Sequence, residues 1–78
     1  MMITGGQIRA ARALLRISAH DLANRTGISY SSIHRAEQVD DLPNLLDKHV
    51  TAIRTALEAA GVEFIPENGG GAGVRLRK

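Results

Sequence analysis

The chain has 78 residues and no cysteine, which excludes a disulfide framework, a thiolate metal site and a cysteine nucleophile. That length supports one small domain, which buries only about 60% of the surface its unfolded chain exposes. No apolar run approaches the ~20 residues needed to cross a bilayer, and the amino terminus lacks the basic-then-apolar order of a secretory signal, so a cytoplasmic, uncleaved chain is expected.

Residues 4–15 are predicted as a first helix. Thr4 or Gly5 caps it, and Ile8, Ala11, Leu14 and Leu15 recur at the three-to-four spacing of one buried stripe. Ser18 opens a second helix, with Asp21 as an acidic capping-box partner and Leu22 and Ala23 facing inward. At Gly27 that helix stops and the chain reverses, because a positive φ costs glycine little. Ser29 caps a third short helix running to about Gln38, with Ile33 and Ala36 on its buried face.

Two aspartates, Pro43 and Asn44 make residues 39–46 read as a loop with one irregular turn. From about Asp47 the helical pattern returns: Val50, Ile53, Leu57 and Ala60 share one face, Ala56 and Ala59 lie beside them, and Gly61 ends the helix. In residues 62–78, Val62, Phe64, Val74 and Leu76 alternate with Glu63, Arg75 and Arg77 around a glycine-rich loop over 66–73, the pattern of a β-hairpin. Two strands alone are marginal in water. The ribbon is therefore expected to pack on the body, or to pair with another chain along its edge and make a dimer. A frayed tail is the alternative. The expected organisation is a helical unit over 1–61 and a hairpin over 62–78, the candidate dimerisation element.

The formal net charge of +2 is unevenly spread. Residues 1–36 hold five arginines against Asp21 alone, residues 37–67 hold Lys48 and Arg54 against seven acids, and Arg75, Arg77 and Lys78 follow. A basic front half suits a polyanionic partner, since each neutralised phosphate releases condensed counterions. Solvated surface charge explains the same arginines without a partner.

The segment from Ile17 to Glu37 carries the functional signal. An inward Ala23 lets two helices approach, Gly27 turns the chain and Ile33 fills the space between them, which leaves one helix jutting out. A helix so presented fits the major groove of B-DNA. Arg9, Arg16 and Arg25 are candidate phosphate contacts.

Catalysis finds little support. Asp21, Ser31 and His34 are suitable residue types, but short exposed helices leave no room for a water-excluding pocket. The run Gly69–Gly73 lacks a following helix and reads as a flexible loop rather than a phosphate cradle. His20, His34 and His49 share no metal-ligand spacing. No cofactor, metal or small-molecule ligand is expected, and two aromatic residues, Tyr30 and Phe64, make no stacking platform for RNA.

Taken together, Ile8-Arg9, Arg12, Ile17-Ser18, Leu22-Ala23, Gly27-Ile28-Ser29, Ile33 and Glu37 resemble the Cro/repressor-like (Xre) helix-turn-helix family, from about Gly6 to Gly61. The resemblance implies a mainly α, lambda-repressor-like DNA-binding domain of four to five helices, with a short C-terminal β-hairpin as in a subgroup of small regulators. It also implies a transcriptional regulator, expected to be a repressor, that binds double-stranded operator DNA as a homodimer. By family correspondence the base-reading positions fall on Ser29, Tyr30, Ser31, His34 and Arg35, and Ser32 joins the phosphate contacts. Arg35 can pair with guanine O6 and N7, and Tyr30, with little apolar company, is expected to be exposed. In the alternative, Ser29 is merely a cap and Tyr30 covers a neighbouring helix.

Arg12 and Glu37 correspond to a structural ion pair of the family, joining the first helix to the end of the third. One departure is Ala19, where the family usually has a glutamine that touches phosphate or braces the recognition side chains; His20 next door is the expected substitute and is counted with the phosphate contacts. Ala19 and the modest charge favour a rival reading, an antitoxin-like or partner-binding protein-interaction module with weak or no DNA binding. Arg35, Tyr30 and the basic front half oppose it.

Overall fold

A computed structural model describes residues 2–77; Met1 and Lys78, which open the expected helical unit and close the hairpin segment, lie outside the described residues. Four helices, α1 (Gly5–Leu15), α2 (Ala19–Thr26), α3 (Tyr30–Glu37) and α4 (Asp47–Ala59), precede a hairpin of β1 (Val62–Ile65) and β2 (Gly73–Leu76).

Local chemistry accounts for most boundaries. Thr4 Oγ1 accepts from the Gln7 N–H at 3.0 Å while Gln7 Oε1 accepts from the Thr4 N–H at 2.9 Å, so two of the free donors at the start of α1 are satisfied reciprocally. Ser18 and Asp21 close a second capping box on α2, and the Ser29 hydroxyl accepts from the Ser32 N–H to start α3. Gly27 ends α2 at φ 75°, in the left-handed region. Helix α4 ends at Ala59, with Ala60 as its cap, and Gly61 at φ 109° swings the chain into β1. Residues 39–46 contain no regular element.

The buried faces of all four helices meet in one core that includes Ile8, Leu22, Ile33, Ile53 and Leu57. Two predicted positions differ. Leu14, expected in the buried stripe of α1, is 39% exposed. It lies two turns beyond Gln7 on the same edge of the helix, and Gln7 is the one covered by the hairpin. Ile3, ahead of the first helix, is fully buried although no periodic pattern includes it.

The hairpin is antiparallel, with Val62 opposite Leu76, Glu63 opposite Arg75, Phe64 opposite Val74 and Ile65 opposite Gly73. Val62 and Phe64 enter the helical core, so the frayed-tail alternative does not hold. Four hydrogen bonds fasten the ribbon to the body or close its base. The buried Gln7 amide donates to the Ile65 and Gly73 carbonyls, at 3.1 and 3.0 Å, and thereby holds both strands at their loop end. At the other end the Arg77 N–H donates to the Gly61 carbonyl and the Arg77 guanidinium to that of Glu58, each at 2.7 Å. Among the described residues, no helix is long and apolar enough to cross a membrane.

Candidate functional site

Helices α2 and α3 pack on each other across the short turn of residues 27–29. Hydrogen bonds define that turn: the Gly27 N–H donates to the Ala23 carbonyl at 2.8 Å, Thr26 Oγ1 donates to the Leu22 carbonyl at 2.8 Å, and the Ile28 N–H donates to Thr26 Oγ1 at 3.3 Å. Buried Ile28 anchors the turn, and Ile33 and Ala36 turn α3 inward on one face. The opposite face presents Tyr30, Ser31, His34 and Arg35 to solvent. Helix α3 is thus two-sided, with Ile33, Ala36 and the ion-paired Glu37 buried and its other polar side chains toward solvent.

The residues singled out from the sequence divide into exposed and committed groups. Ser31 and Arg35 are exposed, and Tyr30 is 39% exposed. The Ser29 hydroxyl is engaged internally, accepting from the Ser32 N–H at 3.2 Å and bonded to Ser32 Oγ at 3.0 Å. Both serines therefore serve the start of α3. His34 lies 3.2 Å, nitrogen to nitrogen, from the Gln38 amide one turn on. Arg16 occupies the left-handed cap of α1 at φ 58°, an unusual conformation for a residue other than glycine, and it is exposed there. Arg25 is exposed in the last turn of α2.

Arg9 and Arg12 are held by the protein itself. Arg9 pairs with Asp40 at 2.6 Å and also donates to the Glu37 carbonyl. Arg12 grips the Glu37 carboxylate with two donors, Nε to Oε2 at 2.7 Å and Nη2 to Oε1 at 2.6 Å, and gives a third to the Ile17 carbonyl at 3.0 Å. The hydrogen bond from Glu37 raises the Arg12 pKa above the ordinary arginine value, against a smaller opposing effect of burial. This two-pronged contact ties α1 to the end of α3 and sets the depth at which α3 sits. Of the five arginines in the front half, Arg16, Arg25 and Arg35 carry no ion pair with a described carboxylate.

Tyr30 is exposed as expected and, as in the alternative reading, also covers the neighbouring helix, through an aromatic stack. The His20 ring of α2 lies parallel to the Tyr30 ring of α3, with centroids 4.0 Å apart and planes 5° apart. His34, one turn along α3, has its ring 5.7 Å from that of Tyr30 with the planes 16° apart. An open groove of about 520 Å³ runs alongside, lined by His20, Asn24, Ser29 and Tyr30. A second, of about 340 Å³, lies between Arg35 and Ser32 of α3 and Asn44 and His49 near the start of α4. Asn24, Asn44 and His49 were not predicted as site residues, and no periodicity marks them because they join the site only through the packing of separate elements.

The chain matches no family model and no curated protein.

Proposed function

We propose that this chain is a sequence-specific DNA-binding transcriptional regulator of the Cro/repressor-like (Xre) type, acting as a repressor, with α2 and α3 as its helix-turn-helix. The observation that carries the reading is the two-sidedness of α3. Ile33 and Ala36 root the helix in the core, while Tyr30, Ser31, His34 and Arg35 stand outward on a short, unobstructed rod. An α-helix with its side chains is about 10–12 Å across, which matches the roughly 12 Å width of the major groove. Arg35 offers the fork that matches guanine O6 and N7, and Ser31, Tyr30 and His34 add donors and acceptors of the kind that read base edges. Arg16 and Arg25 are exposed cations suited to flanking phosphates. The regulator is a cytoplasmic homodimer on a two-fold operator, with half-sites about 34–36 Å apart or a multiple of that.

Fluorescence anisotropy against the DNA upstream of its own gene, beside a scrambled duplex, tests the proposal. Tighter binding to the upstream sequence supports it, and equal affinity for both duplexes refutes it.

One observation favours the protein-interaction reading. Val39, Leu42 and Leu46 stand 42%, 55% and 60% exposed around the α3–α4 connection. An apolar contact there predicts association with another protein that barely responds to salt, unlike binding to phosphates.

A further inference from the structure

We propose that His20 is a positioning residue: it fixes the ring of Tyr30 in the orientation from which α3 discriminates one base sequence from another, and it is not a phosphate contact. The inference rests on the DNA-reading role of α3. Tyr30 sits at the first position of α3, just beyond the cap, where nothing on its own helix precedes it to limit its side-chain rotation. The constraint comes from the neighbouring helix. His20 lies in the first turn of α2 and stacks on the phenol at 4.0 Å with the planes 5° apart, and His34, one turn along α3, has its ring 5.7 Å from the phenol with the planes 16° apart.

Stacked on His20, Tyr30 still lines the open groove beside it, together with Asn24 and Ser29. A side chain ordered before binding gives up less conformational freedom on binding. It also meets a wrong base pair in the same fixed position, so a mismatch cannot be relieved by turning the ring away.

Variants at His20 separate ring from charge, and because the residue is exposed they leave the core untouched. The readout is the ratio of affinities for the upstream and scrambled duplexes. His20→Ala is expected to lower that ratio about three- to tenfold, the range an aromatic pair contributes. His20→Phe, which keeps a stacking ring without a charge or donor, restores it; His20→Lys, which keeps a cation without a ring, does not. Restoration by lysine and not by phenylalanine overturns the proposal in favour of a phosphate contact, and a ratio unchanged in all three variants overturns it outright.

In the free protein, the His20 ring-proton NMR signals are expected upfield of a solvated histidine and return downfield in Tyr30→Leu. Signals at the solvated position in the wild type also overturn the proposal. Failure of the DNA reading is recognised separately: the wild type itself then shows no preference between duplexes while its His20 signals still lie upfield, and the positioning role falls with it.

Discussion

Gly5 has no room for a methyl group. A Cβ built there falls 2.1 Å from the Val39 carbonyl oxygen and 2.2 Å from that of Ala36, both backbone atoms that cannot swing aside. At Gly6 the nearest atom is 3.4 Å away. Gly5→Ala is therefore expected to lose about 1–3 kcal/mol or more in urea denaturation, through overpacking. Gly6→Ala should be neutral or gain up to about 1 kcal/mol from helix propensity. Equal stability of the two variants would contradict the close docking of α1 on the end of α3.

Arg12 makes a different residue-scale prediction. Removing it strands a carboxylate that is only 7% exposed, so Arg12→Met is expected to cost about 3–5 kcal/mol, toward the lower end because the guanidinium side is partly solvated. The Arg12 pKa is raised in the folded state. Its contribution is thus complete below the ordinary arginine value and is lost only as pH rises through the raised one. The Arg12→Met deficit should then hold steady between about pH 6 and pH 9, and a deficit that vanishes within that window would contradict the account.

At the scale of elements, the hairpin carries an acid-sensitive contact. Glu63 and Arg75 face each other across the strands, 2.9 Å apart, and the hydrogen bond from Arg75 lowers the Glu63 pKa below the ordinary glutamate value. A lowered carboxyl pKa contributes stability above its unfolded value and loses it as pH falls through the folded one. The stability difference between wild type and Glu63→Gln is therefore expected to be small, present at about pH 6 and shrinking as pH falls below the ordinary glutamate range. A difference independent of pH over that range would mean the pair contributes nothing.

The elements themselves were largely legible from the sequence, because what makes them is local. Ile8 and Ala11, Val50 with Ile53 and Leu57, and the caps at Thr4, Ser18 and Ser29 act within a turn or two of one another. The alternation around Val62 and Val74 likewise set the strands. What escaped depends on distant partners. Gln7 reads as an ordinary polar helix residue until its amide meets the carbonyls of Ile65 and Gly73, 58 and 66 residues away. Gly5 reads as a cap, and its need to be glycine appears only when α3 closes on it. In the candidate site, the outward face of α3 followed from the inward positions of Ile33 and Ala36, whereas the stacking of His20 on Tyr30 crosses between helices and leaves no trace in spacing.

For the whole molecule, the internal pairing of Arg9 and Arg12 changes the electrostatic expectation. The front half looks strongly basic in the sequence, yet two of its five arginines are engaged by Asp40 and Glu37. With Arg16, Arg25 and Arg35 left to meet phosphates or bases, binding to non-specific duplex should show a shallow salt dependence, a log–log slope of about −3 per protomer at most. A slope steeper than about −5 per protomer would mean that cations beyond these three, Arg9 or Lys48 among them, also neutralise phosphates, and would contradict that expectation.

The central claim is that α3 reads bases, and Arg35 tests it most directly. Anisotropy titrations of wild type and Arg35→Ala against the upstream duplex, its single-base variants and a scrambled duplex separate base reading from general attraction. The account predicts that Arg35→Ala loses about 1–3 kcal/mol of discrimination at one base position while binding the scrambled duplex nearly as before. Discrimination identical to wild type at every position, or an equal loss of affinity for all duplexes, would contradict it.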